Sequence, residues 1–228
     1  MPKVVFCIPI VGKPYDACVQ SLEASLPLLE AAGYTHGMAQ ILNMPYISAA
    51  RATMLRSALD DKADIVVFID YDVSWKPGDL LKLIQTEGDC VAGTYRCKID
   101  DEEYMGTVES GPDGTPKVRP SDGAILAKTV PAGFLKVTKE GVNKFMEQYP
   151  ELCYGPRYHL SVDLFNHGAH EGLWWGEDYA FARRYRDKCG EIWIVPDLDI
   201  DHNTKDAVYR GNFHRYLCRQ PGGSDYQE

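Results

Sequence analysis

Two aspartates, Asp70 and Asp72, stand two positions apart directly after the apolar run 65–69. Side chains at positions i and i+2 of an extended segment point to the same side, so the two carboxylates converge on one place. Hard divalent cations such as Mg²⁺ and Mn²⁺ prefer oxygen ligands and keep further positions open for water and substrate phosphates. The spacing therefore predicts a cation site that holds a diphosphate. The alternative is that both aspartates cap a turn, where Asp is common.

Two more D-x-D triplets overlap between Asp197 and Asp201 and lead into His202. We assign the cation to the first triplet, because only that one follows a long apolar strand. A single histidine is more often structural than a ligand. If the strand before His202 lies beside Asp72, however, the imidazole completes the metal site together with the carboxylates and phosphate oxygens.

A second pair of carboxylates, Glu177 and Asp178, follows Trp174-Trp175-Gly176 and begins a predicted helix. Negative charge is stabilised at a helix N-terminus, which is a sufficient structural reason for both. The two tryptophans also fit a sugar-binding platform of flat apolar rings. In that interpretation one carboxylate removes the proton of an attacking hydroxyl as general base. The residues alone favour the two interpretations equally.

The segment 167–171 and the two arginines Arg51 and Arg56 have structural or mixed interpretations. The segment 167–171 contains two histidines and a glutamate but lacks the H-E-x-x-H order, and its glycine predicts a loop; contact with an acceptor is the lesser alternative. Arg51 stands near the start of a predicted helix, where it reaches a nucleotide or the metal-site carboxylates. Arg56 is interpreted as a solvated residue of the same helix.

Alternating strands and helices position these side chains. The first half predicts strands at 4–10, 37–42, 64–70 and 91–95 and helices at 16–32, at 48–60 with Ser48 as its cap, and from 77 onward. This βαβ alternation predicts an α/β fold with a mostly parallel central sheet and helices on both faces. Ligands of such sheets bind at the carboxyl ends of strands, so the first and third strands open onto one crevice.

The second half has a different texture. From about residue 100, Gly and Pro turns separate short strands, which predicts a β-rich elaboration over the sheet. Helices are predicted at 138–149 and 177–188, and a last strand at 191–195. We expect one domain over 1–228, in which 203–228 is a tail and the polar end from 220 is frayed.

Composition narrows the functional class. The 228 residues are 45% hydrophobic and 25% charged, as in soluble globular domains, and the net charge of −9 disfavours a broad phosphate-binding surface. Seven cysteines without a C-x-x-C pair predict a reducing, cytoplasmic setting. No apolar run approaches the roughly 20 residues that span a bilayer.

Taken in order, these pieces resemble the GT-A glycosyltransferases, especially the family 2-like group. The resemblance covers roughly 3–202 and depends on the order of the segments rather than on any one triplet. The matching segments are Pro9-Ile10-Val11, Ser48-Ala49-Ala50-Arg51-Ala52, Phe68-Ile69-Asp70-Tyr71-Asp72, Pro131-Ala132-Gly133-Phe134-Leu135, Gly176-Glu177-Asp178 with Phe181 and Arg184, and His202. One departure is Ala52, where many relatives have Asn, and any contact made by that Asn is absent.

The resemblance implies a nucleotide-sugar-binding half at 1–99 and an acceptor and catalytic half at 100–202. In the first half, Pro9, Val11 and Gly12 would contact the base and ribose, and Asp70 would approach the ribose or the metal. Arg51 would contribute to the nucleotide site.

The remaining roles concern the metal, the sugar and the acceptor. The resemblance implies that Asp72 and His202, with Asp70, hold Mn²⁺ or Mg²⁺, and that Ala132 and Gly133 line the donor sugar pocket. Asp178 would be the base and Glu177 would orient a hydroxyl. Trp174, Trp175 and Arg184 are assigned to the acceptor.

The implied activity is metal-dependent transfer of a sugar from a nucleoside diphosphate sugar, most readily a UDP-sugar, to an acceptor hydroxyl. A family 2-like enzyme would invert the anomeric centre, although retaining enzymes share the fold. The alternatives are a nucleotidyltransferase that forms sugar nucleotides, for which Gly12-Lys13 is a poor triphosphate loop, and an inactive nucleotide-sugar-binding module. A glycan, a protein, a lipid-linked sugar and a modified DNA base all remain open as acceptors.

Overall fold

The computed structural model describes residues 1–220 of the chain. Its strands are β1 (Lys3–Ile10), β2 (Thr35–Leu42), β3 (Ile65–Ile69), β4 (Val73–Trp75), β5 (Cys90–Ala92), β6 (Thr107–Val108), β7 (Ile125–Thr129), β8 (Phe134–Thr138), β9 (Cys153–Tyr154), β10 (Ser161–Val162), β11 (Gly168–His170), β12 (Leu173–Trp175), β13 (Trp193–Ile194), β14 (Asp199–Asn203) and β15 (Val208–Asn212). Its helices are α1 (Asp16–Ala31), α2 (Ile47–Asp60), α3 (Pro77–Gln85), α4 (Lys139–Gln148), α5 (Glu177–Lys188) and α6 (Phe213–Arg219).

The central sheet has the strand order β2-β1-β3-β8-β5-β13-β7-β6 within the described residues. The pairs β1·β2, β1·β3 and β5·β13 are parallel. Both β8 and β7 run antiparallel to their neighbours on each side. Six of these strands therefore share one direction, which confirms the predicted mostly parallel α/β sheet. The insertion of β8 between β3 and β5 was not predicted.

Helices cover both faces of the sheet, as predicted. Successive residues of β1 alternate between two apolar clusters, because side chains of a strand point to opposite faces. Val4 and Phe6 pack with residues of α1 and α3 on one face. Val5 and Cys7 belong to the cluster of α2, α4, α5 and α6 on the other face. The strand is thus buried on both sides, which explains its continuous apolar sequence.

A smaller sheet, β15-β14-β4, lies at the end of β3. The strand β4 begins directly after Asp72, and β14 pairs with it antiparallel so that His202 lies opposite Val73. The pairing brings residues 199–203 back to the first D-x-D triplet. The β-rich elaboration predicted for the second half consists of the two short hairpins β9–β10 and β11–β12, whereas β6, β7 and β8 belong to the central sheet.

Two predictions about local structure are wrong. Ser48 is not the cap of α2, since the helix begins at Ile47 and Ser48 is a buried residue of its first turn. The segment 167–171 is not a loop; it contains β11, which pairs with β12 across a tight turn at Glu171 and Gly172 that both adopt positive φ. Such a turn joins the two strands of a hairpin directly.

The segment 203–228 was predicted to be a tail, but its first part is structured. β15 extends the smaller sheet, and the Asn212 side chain caps α6 by accepting from the Arg215 amide. Phe213 and Leu217 of α6 are buried in the apolar cluster because they stand one turn apart on its inner face. Residues 221–228, which include most of the predicted frayed end, lie outside the described residues.

Helices able to cross a bilayer are not found in residues 1–220, where none is both long and apolar enough.

Candidate active site

The carboxyl ends of β1 and β3 open onto one cavity of about 170 Å³. The residues that line it come from five separate parts of the chain: the β1 end, the β2 end with the loop after it, the start of α2, the β3–β4 link and the start of α5. Those singled out from the sequence are Pro9, Val11, Arg51, Asp70, Asp72 and Glu177. The expectation that the first and third strands present their ends to one crevice therefore agrees with the geometry.

Arg51 occupies the centre of this arrangement. It is 3% exposed and donates from one guanidinium nitrogen to Asp70 Oδ1 at 2.8 Å and from the other to Glu177 Oε1 at 3.1 Å. Its guanidinium lies 5.2 Å from the centre of the Phe165 ring. Burial alone would lower the pKa of Arg51, but Asp70 and Glu177 outweigh it and the pKa lies above its ordinary value. Arg51 is therefore a fixed positive charge that joins the β3 end to α5.

Asp70 is paired with this arginine rather than with the other predicted metal ligands. Its second oxygen lies 3.5 Å from the Tyr95 hydroxyl. In the described residues no group of three or more His, Cys, Asp or Glu side chains comes close enough to hold a metal. The predicted trio of Asp70, Asp72 and His202 is thus not assembled, and Asp70 is paired with Arg51 instead.

Asp72 and His202 do come together. His202 Nε2 lies 3.7 Å from Asp72 Oδ2, and both side chains are largely buried. His202 Nδ1 donates to the carbonyl oxygen of Arg96 at 2.8 Å, and this contact orients the ring so that Nε2 faces Asp72. Burial would raise the pKa of Asp72, but hydrogen bonds from His202 and Lys98 lower it below its ordinary value.

The donor set of this pair fits a divalent cation. A carboxylate oxygen and a neutral imidazole nitrogen are both suitable ligands for Mn²⁺. Two donor atoms 3.7 Å apart are close enough to share one ion whose bonds are about 2.1 Å long. In the structure the Lys98 ammonium lies 2.5 Å from the same Asp72 oxygen, so positive charge is already stabilised there.

The two residues assigned to the donor sugar pocket have structural roles. A Cβ at Gly133 would overlap the Tyr95 hydroxyl and the Asp70 carboxylate, so this glycine makes room for Asp70. Its carbonyl also accepts from the Asp70 amide at 2.9 Å. Ala132 is 2% exposed and packs in the apolar cluster beneath α2 and α5, so its side chain does not line a sugar pocket.

The loop after β1 is shaped by a glycine and an asparagine. Gly12 adopts a φ of 75°, a region that favours glycine, and its amide donates to Asn43 Oδ1 at 2.9 Å. Val11 beside it is 60% exposed and lines the cavity together with Pro9. An apolar, open surface of this kind suits the flat face of a nucleobase.

Glu177 and Asp178 occupy the first turn of α5, whose predicted bounds of 177–188 are confirmed. Burial raises the pKa of Asp178 to about 6, and the adjacent Glu177 charge adds to the effect. Glu177 is bonded to Arg51, whereas Asp178 accepts only the Tyr179 amide at 2.8 Å among the described contacts. Asp178 therefore has a higher proton affinity than an ordinary aspartate, and of the two carboxylates it has the freer oxygen.

The three residues assigned to the acceptor are in different situations. Trp174 is 73% exposed on β12, and Trp175 lies under the Arg183 guanidinium at 5.4 Å from its ring centre. Arg184 is not available, because both terminal nitrogens of its guanidinium donate to Asn166 and hold the segment before β11. A groove of about 740 Å³ runs between the β11–β12 hairpin, α5 and the β6–β7 edge and includes Trp175.

Three residues that contact Asp70 or Asp72 were not predicted from the sequence. Tyr95 and Lys98 approach Asp70 and Asp72, respectively, and the Asn203 side chain donates to the Asp72 carbonyl at 3.0 Å. Tyr95 and Lys98 could have been predicted, because residues 93–98 directly follow the strand β5. The strand ends of this kind of sheet carry ligand contacts. The sequence offered no comparable signal for Asn203.

Comparisons with known proteins address the fold. No protein-family model matches the chain, and no curated protein matches it at a significant level. Among solved structures, A197 from STIV superposes with a TM-score of 0.56 and 16% identity over 93% of this chain and 95% of that protein.

Two further solved structures superpose at lower scores. A Drosophila β-1,4-galactosyltransferase 7 variant in complex with manganese, UDP-Gal and xylobiose gives a TM-score of 0.47 and 14% identity over 100% of this chain and 80% of that one. Residues 1–349 of TarS from S. aureus give 0.46 and 13% identity over 86% of this chain and 58% of that one. At these identities the likeness concerns the fold alone. The sheet order, the helices on both faces and the match with A197 identify the chain's fold as GT-A-like.

Proposed function

We propose that this protein is a glycosyltransferase that moves a sugar from a nucleoside diphosphate sugar, most readily a UDP-sugar, to an acceptor hydroxyl with the help of Mn²⁺ or Mg²⁺. One observation carries the proposal. One cavity at the carboxyl ends of β1 and β3 is lined by apolar side chains together with Asp72, and Asp72 is paired with His202. Sheets of this type bind nucleotides at this edge, and the GT-A-like fold supports the assignment.

The donor is held from two sides in this proposal. Pro9 and Val11 contact the nucleoside, and the Gly12–Asn43 contact fixes the loop that carries them. Asp72 and His202 would hold the divalent cation, which would supply positive charge to the leaving diphosphate. Asp70, fixed by Arg51, lies beside Asp72 and accepts a hydrogen bond from a ribose hydroxyl.

Asp178 is the general base of the proposed transfer. A carboxylate whose pKa is about 6 is mostly ionised at neutral pH and still has more proton affinity than an ordinary aspartate. It therefore removes the proton of the acceptor hydroxyl as that oxygen attacks the anomeric carbon. Glu177, held by Arg51, fixes the start of α5 and orients a hydroxyl.

The acceptor binds from the side of the β11–β12 hairpin. The groove beside α5 leads along the helix that begins with Glu177 and Asp178, and Trp175 contributes an aromatic face to it. The exposed Trp174 extends this aromatic surface. Aromatic rings with nearby polar groups suit a sugar-bearing acceptor.

The nucleotidyltransferase alternative is less well supported. Such an enzyme needs several donors after β1 to hold a triphosphate, and Lys13 is instead paired with Asp16 at 2.8 Å on the surface. The products separate the two functions. Release of UDP from a UDP-sugar is the expected result, whereas pyrophosphate formed from UTP and a sugar phosphate would establish the alternative.

The experiment is a screen of nucleotide sugars for Mn²⁺-stimulated release of the nucleoside diphosphate, carried out with the wild type and with Asp72→Asn. The variant should lose at least about 100-fold of the activity, because it weakens the charge at the diphosphate. Asp199→Asn is the matched control, since Asp199 belongs to another D-x-D triplet and pairs with Lys76 and Arg215. Activity of Asp72→Asn equal to that control would overturn the assignment, and UDP binding without any turnover would establish an inactive binding module.

A further inference from the structure

Lys98 is bound to the oxygen that the proposed cation needs. Its ammonium lies 2.5 Å from Asp72 Oδ2, and His202 Nε2 lies 3.7 Å from the same oxygen. The lysine side chain is 37% exposed, whereas the Asp72 side chain is 13% exposed. One end of the ion pair is therefore fixed in the site, and the other belongs to a side chain with free space around it.

The segment that carries Lys98 also positions His202. The Arg96 carbonyl accepts from His202 Nδ1, and the Arg96 guanidinium donates to the carbonyl oxygens of Ile99, Asp100 and Asp101. The Cys97 amide donates to the Glu103 carbonyl at 2.8 Å. These contacts fix the turn at 96–103 without involving the Lys98 side chain. Lys98 can therefore change its partner while the turn and His202 stay in place.

Electrostatics makes two cations on one carboxylate oxygen unfavourable. An ammonium and a divalent ion that share Asp72 Oδ2 would lie within a few ångströms of each other and repel strongly in this partly buried site. A diphosphate brings several negative charges to the same place. It provides the partner that an ammonium leaving Asp72 requires, at a distance that the long lysine side chain spans.

We propose that Lys98 is an exchangeable counter-ion, which neutralises Asp72 in the empty site and turns to the diphosphate of the donor when donor and divalent cation bind. This inference rests on the proposed function and adds a donor-binding residue to it. Two consequences follow. The protein binds a divalent cation weakly without a nucleotide, because Lys98 competes for Asp72. Cation and nucleotide also strengthen each other's binding, because the diphosphate draws Lys98 away.

The test measures Mn²⁺ and UDP affinities of Lys98→Met, which keeps the length of the side chain and removes its charge. Free Mn²⁺ is followed by electron paramagnetic resonance, and UDP binding is followed by calorimetry at saturating Mn²⁺. Without UDP, Lys98→Met should bind Mn²⁺ about tenfold more tightly than the wild type. With Mn²⁺ present, the same variant should bind UDP about tenfold more weakly.

Lys144→Met is the matched control, because Lys144 forms a similar ion pair with Asp89 at 2.8 Å, away from the cavity. It should leave both affinities at the wild-type value, and thermal melts of both variants verify the fold. Unchanged Mn²⁺ affinity of Lys98→Met without UDP would overturn the exchange, whatever happens to UDP binding. A wild type that binds Mn²⁺ but not UDP would overturn the donor assignment instead, and the Mn²⁺ measurement would still decide whether Lys98 competes for Asp72.

Discussion

Arg51 shows how one buried side chain organises carboxylates from distant parts of the chain. Its partners Asp70 and Glu177 stand 19 and 126 positions away, and without the guanidinium their like charges would repel. The planar fork of an arginine can bind two carboxylates at once, which a lysine cannot do in the same geometry. From sequence, Arg51 had two interpretations, because a residue's long-range partners are fixed only by the fold.

Asp178 gives a prediction at the scale of one residue. Its folded-state pKa of about 6 lies above its ordinary value of 3.8, because burial and Glu177 disfavour the charge. The folded state therefore holds this proton more strongly than the unfolded state, and the wild type loses stability as the pH rises from about 4 to 6. Asp178→Asn has no carboxyl at this position and therefore does not lose this stability as the pH rises. It should match the wild type at pH 4 and be more stable by roughly 1–3 kcal/mol at pH 7.

Urea unfolding of both proteins at pH 4 and pH 7 measures this difference. The exposed Asp206→Asn serves as control and should show the same offset from the wild type at both pH values. An Asp178→Asn variant whose offset does not change with pH would show that the Asp178 carboxyl is not disfavoured by the folded site.

At the scale of elements, the sequence predicted best what depends on local pattern. The bounds of α5 and the alternation of β1 to β3 with α1 and α2 follow from apolar spacing and were found where expected. The strand β14 was read only as an acidic run, because Asp199 and Asp201 are poor strand formers. In the structure these aspartates alternate with Ile200 and His202, and pairing with β4 and β15 stabilises the strand.

The pairing of β14 with β4 decides whether His202 lies beside Asp72. His202 lies opposite Val73 in the register of β14 and β4, next to Asp72. A shift of one residue would turn His202 to the other face of the small sheet. Neither this register nor the antiparallel insertion of β8 can be read from the sequence, because both are pairings between segments far apart in the chain. For that reason Asp72 and His202 were predicted as partners only conditionally.

A buried lysine links β8 to α3 and gives a prediction at this scale. Lys136 is 3% exposed and donates to the carbonyl oxygens of Ile84 and Thr86 at the end of α3. Burial lowers its pKa from 10.5 to about 8. Between these values the unfolded state binds the proton and the folded state does not, so stability should rise as the pH increases from about 8 to 10.

Lys136→Met lacks this titrating group. The part of the pH-dependent rise in the free energy of unfolding that comes from Lys136, which we expect to be about 2 kcal/mol, should therefore be absent from the variant. Chemical unfolding at pH 7.5 and pH 10 measures it as the change in the difference between wild type and variant. Lys205→Met, at an exposed position, is the control. An equal pH response of the wild type and Lys136→Met would contradict the assignment.

For the whole molecule, the two apolar clusters share the strands of one sheet. Val66 and Val67 of β3, for example, belong to different clusters although they are neighbours in the chain. Losing one cluster would expose one face of every shared strand. We therefore propose that the described residues unfold as a single cooperative unit.

Substitutions on opposite faces test this cooperativity. Leu83→Ala removes apolar contacts beneath α3, and Phe181→Ala removes them beneath α5; both side chains are fully buried. Each should lower the free energy of unfolding by about 3–4 kcal/mol. Tryptophan fluorescence and far-ultraviolet circular dichroism should report one common transition in each variant. Separate transitions for the two probes would contradict a single unit.

The smaller sheet determines when a newly synthesised chain can place His202 beside Asp72. Asn203, which anchors β14 to the Asp72 carbonyl, is 131 positions downstream of it, and β15 must follow before β14 has both neighbours. Contacts between such remote positions form late in folding. During synthesis, β1 to β4 and the first helices leave the ribosome well before residues 199–203. A translation product that stops before β15 would therefore carry Asp72 and His202, but the strand that holds His202 would lack one of its two neighbouring strands.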